Sequence, residues 1–324
     1  MQKSTDQQAD GLQKILQIQD YWLVNPSVQR AMFMVGFCLI PGTLLSTFIF
    51  GYGVFINIVL AICFGFILEV GLHQLRGNNL QTFSFDGSGA VMALIFALSL
   101  PPLLPWWILL IGITFSITLA KYAYGGTGNN IFNPAMAGVV ALLISFPAEM
   151  NQWSIIIDGQ SSATPLDSLQ TSLRLSNMLS EIQNTGIFGS FASTGHEWIN
   201  IGFLIGGLIL IQKKIIRWHI PVGVLCGLVF FSVLFQISDA DHYPGVFFHL
   251  FGGATMLCAF FVATDPVTSP STKKGRFIYG FSIGIVIYVI RTWGAYPEGA
   301  AFAILMMNAA SPVLDHFFRP QAPE

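Results

Sequence analysis

The sequence predicts an all-α polytopic membrane protein with about ten transmembrane helices, some broken, in two inverted five-helix repeats. Three observations carry this. Hydrophobic residues make up 53% of the 324 positions and charged residues 9%, against about 25% charged in a soluble domain. Ten apolar runs follow one another, at 31–50, 54–72, 89–104, 106–121, 131–147, 199–212, 220–237, 246–264, 277–291 and 299–317. The connections between them alternate in charge.

Taken in order, segment 1–29 is polar and has no short apolar core followed by a cleavage site. It is expected to be a cytoplasmic N-terminal segment, with the first spanning helix directing insertion. Residues 30–147 form the first repeat. Several of its runs fall short of the roughly 20 residues that a full crossing prefers. Run 131–147 opens on Asn133-Pro134 and closes at Pro147. Residues 148–198 form a long polar loop, 199–319 the second repeat and 320–324 a cytoplasmic tail. Run 299–317 is expected to be broken by Asn308 and Ser311-Pro312. Broken backbone persists in a membrane where it lines a pocket or is buried in protein.

Charge fixes the expected orientation. Lys3, Lys14 and Arg30 precede the first run; His73 and Arg76, Lys121, then Lys213, Lys214 and Arg217, then Lys273, Lys274 and Arg276, and finally Arg319 fall on the same side. Loop 148–198 holds Glu149, Asp158, Asp167, Glu181 and Glu197 against Arg174 alone. By the positive-inside rule both termini are cytoplasmic and the long loop is periplasmic, in a bacterial inner membrane. Arg291 is the exception, at the other end of a helix, to be held by a partner or by snorkelling.

A weak repeat supports the two halves. Gly89-Ala90-Val91-Met92, Phe96 and Pro102 align without gaps on Gly253-Ala254-Thr255-Met256, Phe260 and Pro266. Five crossings per half is an odd number, so the second half is inverted relative to the first, as in many transporters.

Other function classes find little support. Cys38, Cys63, Cys226 and Cys258 lie singly in apolar stretches, without metal spacing, so no metal site is expected. There is no P-loop and no G-x-G-x-x-G after a strand, so sites for soluble redox carriers belong on partners. The Lys273-Lys274-Gly275-Arg276 cluster reads as topology signal and lipid contact, not as a nucleic-acid site. Glu69, Lys121, Asp265, Arg291 and Asp315 lie at helix ends, as anchors or tertiary pairs.

The long loop contains Asp158-Gly159-Gln160-Ser161-Ser162-Ala163-Thr164-Pro165. Its second half reads as a helix start: Thr164 as N-cap, Pro165 at the first helical position and Asp167 as an acid in the first turn. The small residues Gly159, Ser161, Ser162 and Ala163 also leave the Thr164 hydroxyl accessible. A phosphate joined there would meet the free N–H groups of a helix N-terminus.

That segment resembles the signature D-x-x-(S/T)-(G/S)-A-T of proteins modified by a flavin transferase. Asp86-Gly87-Ser88, Ala97-Leu98-Ser99-Leu100-Pro101-Pro102, Tyr124-Gly125-Gly126, Phe132-Asn133-Pro134-Ala135-Met136, Leu143-Ile144-Ser145-Phe146-Pro147 and Thr264-Asp265-Pro266-Val267-Thr268-Ser269-Pro270 are similar to the RnfD/NqrB family. Its members are membrane components of the Rnf electron-transport complex and of the sodium-pumping NADH:quinone oxidoreductase. The likeness covers residues 22–320 and looks more like the Rnf member. It implies an electron-transfer subunit of an ion-translocating ferredoxin:NAD oxidoreductase, a non-autonomous redox component with FMN esterified to Thr164 through its phosphate. Asp158, Gly159, Ser161, Ser162 and Ala163 would then be recognised by the transferase. The resemblance also implies a second, non-covalent flavin (riboflavin or FMN), with Gly125, Gly126, Asn129, Asn133, Pro134, His249 and Asn308 as candidates for its walls or for a pathway. Expected partners are the other subunits of the complex, the flavin transferase and the lipid bilayer. A small-solute channel or transporter, and the sodium-pump member itself, stand as alternatives.

Overall fold

The structure, a computed structural model, describes residues 26–77, 86–126, 128–154, 161–162, 164–175, 178–182 and 187–318. The first half holds α1 (Pro26–Phe50), α2 (Tyr52–Leu75), α3 (Ser88–Leu98), α4 (Trp106–Phe115, continuing as a π-helical segment Ser116–Tyr122) and α5 (Pro134–Ser145). A short α6 (Pro147–Met150), a strand pair β1 (Trp153–Ser154) and β2 (Ser161–Ser162), then α7 (Pro165–Arg174) and α8 (Leu179–Ile182) make up the loop region. The second half holds α9 (His196–Gln212), α10 (His219–Ser238), α11 (Val246–Phe251), α12 (Thr255–Leu257, running into a π-helical segment Cys258–Val262), α13 (Lys273–Trp293) and α14 (Ala300–Phe318).

Among the described residues five helices are long and apolar enough to cross a membrane, Val28–Phe50, Tyr52–Leu75, His219–Ser238, Lys273–Trp293 and Ala300–Phe318, and four shorter apolar helices accompany them. Their outer faces carry large apolar side chains such as Phe37, Phe48 and Ile67, a surface suited to lipid. This is an all-α polytopic membrane protein.

Local chemistry sets the helix starts. The Asn133 side chain caps α5 by accepting the Met136 N–H at 3.2 Å, with Pro134 in the first position. Thr272 caps α13 through the Gly275 N–H at 3.1 Å. Asp86 accepts both the N–H and the hydroxyl of Ser88 at the head of α3, at 2.9 and 2.7 Å.

The halves meet along α1 and α9, in antiparallel register. Gly206 faces the Cys38 carbonyl, Gly202 faces Gly42, and Gly195 faces Ile49. A Cβ added at Gly202 would come within 2.8 Å of the Gly42 backbone. Small residues let these helix backbones approach closely. Each half contributes its first helix to this seam in the opposite direction, as inverted repeats require.

One expected break moves. Run 299–317 is a single helix, α14, with Pro312 inside it. Proline removes one backbone donor, and helices in a membrane tolerate this where neighbouring groups re-satisfy the backbone. The break falls instead in run 246–264, between α11 and α12, at Gly252-Gly253-Ala254. Gly253 takes a left-handed φ of 54°, which glycine adopts without penalty.

Candidate functional site

Thr164 stands at the head of α7. Its hydroxyl oxygen accepts the Asp167 N–H at 3.1 Å, and Pro165 follows in the first helical position. Just upstream, Ser161 and Ser162 pair antiparallel with Ser154 and Trp153. Asp158, Gly159 and Ala163 lie outside the described residues. Leu166 and Leu169 of α7 pack with Leu179, Ile182, Ile187 and Phe248 in a small core separate from that of the membrane helices. The buried Gln170 side chain donates to the carbonyls of Arg291 and Gly294 at 2.9 and 3.0 Å, and Arg174 also donates to Gly294. The helix bearing Thr164 is therefore tied to the last turn of α13.

Burial holds the Asp167 carboxyl above its ordinary range, and the nearby Arg174 offsets part of that rise. Unlike Asp167, Glu197 has three backbone donors: Ser190, Phe191 and Ala192, at 2.9, 3.0 and 2.9 Å. Such a carboxylate pins the loop before α9.

Thr164 opens on a cleft of about 110 Å3 between the two halves. Phe50, Met136, Leu143, Trp153, Leu257 and Ala300 supply apolar wall, and Glu298, Ser46 and His196 are among its polar groups. Phe50 sits edge-on to Trp153 and His196, each at 5.2 Å between ring centres. The helix break forms part of the lining, through Gly253 and Ala254. Asn200 holds that break together: its amide donates to Phe251 and Gly253 carbonyls at 2.9 and 2.8 Å, and its oxygen accepts the Met256 N–H at 2.9 Å.

Arg291 is not left to snorkelling. It is buried and reaches both oxygens of Glu298 at 2.9 and 3.0 Å, the carbonyls of His249 and Gly252, and the Thr255 hydroxyl. Glu298 was not among the sequence candidates. Its signal was weak: an acid seven residues after a basic residue at a helix end.

A second cleft, of about 210 Å3, lies at the other end of the seam. Val28, Met32, Lys121, Asn133, Pro134 and Asp265 are part of its lining. Asn133 and Asn308 are brought together: the Asn133 N–H donates to the Asn308 side chain at 2.9 Å, and Asn308 donates to the Tyr279 hydroxyl at 2.7 Å. The Asn133 amide also reaches Asp265 at 3.4 Å. Lys121 pairs with the buried Glu69 at 2.5 Å. Gly125, Gly126 and Asn129 form the turn beside this cleft and are not among its lining residues; Arg76 donates to the Gly125 carbonyl.

His249 joins neither group. It borders a third cleft behind α7 with Gln170, Arg174 and Trp293. Both its ring nitrogens lack a hydrogen-bond partner among the described residues, and its ring rests against Tyr288 at 4.8 Å. Its ring is therefore packed without a hydrogen bond among the described residues. Among the described residues no group of three or more His, Cys, Asp or Glu is arranged to hold a metal ion.

Comparison with known proteins decides the family. The model of the NQR2, RnfD, RnfE family matches residues 17–323. The chain belongs to this family. It is 43% identical to the D subunit of the ion-translocating oxidoreductase complex of Vibrio cholerae serotype O1 (strain ATCC 39541), over 88% of this chain and 91% of that protein. It is 40% identical to the protein of the same name from Aliivibrio salmonicida, over 91% and 94%. The same name and 40% identity are found in Shewanella denitrificans, over 92% and 95%. The matches run through both clefts and the loop that carries Thr164.

Proposed function

We propose that this chain is the flavin-carrying subunit of an ion-translocating oxidoreductase complex, with FMN esterified through its phosphate to Thr164. The observation that carries the reading is the position of Thr164. Its hydroxyl stands at a helix N-terminus and opens on a largely apolar cleft walled by Phe50 and Trp153. Pro165 has no N–H, and the Leu166 N–H at the helix head is left to face a phosphate there. An ester oxygen still accepts, so the Asp167 N–H keeps its partner.

The bound flavin would supply one- and two-electron chemistry. The residues of the chain do the rest. Gln170 and Arg174 fix the direction of α7, Phe50 and Trp153 wall the cleft, and Asn200 holds the helix break against it. Thr164 acts as a nucleophile once, during maturation by a flavin transferase. The charge distribution supports cytoplasmic termini and a periplasmic Thr164 in the bacterial inner membrane. The names of the relatives support assembly with other subunits of such a complex. The exchange of electrons between ferredoxin and NAD, with those sites on partner subunits, extends the same reading. The Asn133 cleft, with Lys121, Asn133 and Asp265 on its wall, is the proposed place of a second, non-covalent flavin.

Flavin fluorescence of the protein band on a denaturing gel tests this. The chain coexpressed with a flavin transferase is expected to fluoresce, and Thr164→Ala to be dark. A dark wild-type band sinks the reading, and a fluorescent Thr164→Ala moves the attachment elsewhere. The inverted architecture, with a cleft at each end of the seam, favours a second reading as a solute channel or transporter. That reading predicts solute flux into vesicles holding this chain alone; the redox reading predicts none.

A further inference from the structure

We propose that Glu298, held by Arg291, sets the reduction potential of the flavin in the Thr164 cleft by placing a fixed negative charge on its wall. The inference rests on the flavin reading above and adds a residue to it.

Geometry fixes that charge. Both carboxylate oxygens accept from Arg291, and the Ala254 and Ala300 N–H groups donate at 3.0 and 3.1 Å. Four donor contacts leave the carboxylate no freedom to turn away. Its side chain is 31% exposed while that of Arg291 is 1% exposed. The base is spent on the interior, on the carbonyls of His249 and Gly252 and the Thr255 hydroxyl. The pair is thus a dipole with its negative end on the cleft. Among the described residues that line this cleft, Glu298 is the one Asp, Glu, Lys or Arg. Most of the remaining wall is apolar, so beyond Arg291 little screens it.

A ring taking up electrons would feel this charge. Two electrons and one proton convert the neutral oxidised ring to the anionic reduced ring. A carboxylate nearby disfavours the anion, lowers the potential and makes the reduced flavin the stronger donor. The phosphate ester adds negative charge of its own, so the effect of Glu298 falls on a site already poor in counter-charge.

The test is a redox titration of the full-length, flavinylated protein in detergent, with dithionite as reductant. Glu298→Gln removes the charge and keeps the shape. It is expected to shift the potential upward, changing the ratio of reduced to oxidised flavin at a fixed potential on the order of tenfold. Glu298→Asp is expected to stay near wild type. The double variant Arg291→Gln with Glu298→Gln leaves no buried charge unpaired, and is expected to rise less, because the buried cation is lost as well. It serves as the measurement if the single variant does not fold. An unchanged potential in a fluorescent Glu298→Gln or double variant overturns the proposal and leaves the attachment reading intact. A dark wild-type band defeats both.

Discussion

The two clefts share a frame and differ in the charged groups it presents. In each, a helix begins beside a glycine, and an acid–base pair packs against that glycine. At the Asn133 cleft the glycine is Gly89 and the pair is Glu69 with Lys121; at the Thr164 cleft the glycine is Gly253 and the pair is Glu298 with Arg291. The bases sit at the ends of corresponding helices, Lys121 after α4 and Arg291 in α13. The acids come from different places, Glu69 from within α2 and Glu298 from the turn before α14. Lys121 lines its cleft with Glu69 behind it, whereas Glu298 lines its cleft with Arg291 behind. The Asn133 cleft therefore presents a cation together with the Asp265 carboxyl, and the Thr164 cleft an acid with no other Asp, Glu, Lys or Arg among the described residues of its wall. The support of a site can be kept while the charged groups on its wall change.

The largest expected effect separates the two pairs by their other partners. Glu69→Gln leaves Lys121 with only a long contact to the Ser88 hydroxyl, at 3.5 Å. Loss of a buried pair of this kind costs roughly 3–5 kcal/mol. Glu298→Gln leaves Arg291 three further acceptors and removes a partly exposed acid, so about 1–2 kcal/mol is expected. Thermal unfolding of the purified variants in detergent orders them. Equal losses would mean that the clefts are supported alike.

Next come the glycines. Gly253→Ala must hold a left-handed backbone, at roughly 1–2 kcal/mol, and its Cβ would also meet Leu166 at 2.8 Å and Arg291 at 2.9 Å. Gly89→Ala meets the Glu69 carboxylate, with Cδ at 2.6 Å, in ordinary helical backbone. The melting temperature is expected to fall further for Gly253→Ala than for Gly89→Ala. The reverse order would place the stiffer support at the Asn133 cleft.

The smallest effect belongs to α7, which the Asn133 cleft lacks. Asp167 has a carboxyl raised by burial, so the folded state binds its proton more tightly than the unfolded chain does. That contribution is complete below the unfolded value of about 4 and is lost as pH rises through the folded value. Asp167→Asn is therefore expected to be slightly more stable than wild type at pH 7 and equal to it near pH 4. Melting curves across that range would show a gain that grows with pH; a pH-independent difference would contradict it.

Much of this was legible in the sequence. The apolar runs matched the helices closely, because period and length speak directly of crossings. Asn133 and Thr164 were readable as caps because a short polar side chain before proline has little else to do. The helix break was misplaced because proline stands out more than glycine: Pro312 sits inside α14, while the break needs the positive φ of Gly253. The acid–base pairs could not be matched from sequence. Glu69 and Lys121 are 52 positions apart, and nothing local announces that two helix-end charges meet. Glu298 escaped notice because a lone acid in a turn looks like a solvated one.

The glycine seam between α1 and α9 has a mechanical consequence. Carriers built on inverted repeats commonly alternate access by rocking one bundle against the other, and rocking needs a slip plane with room to shear. Here the plane between the halves is filled by backbone, with Gly206 against Cys38 and Gly202 against Gly42, and even a methyl group has no space there. The two halves are welded into a single strut. Any stroke that follows a change of charge in either cleft has to be short, confined to the helix break or to side chains at the cleft walls.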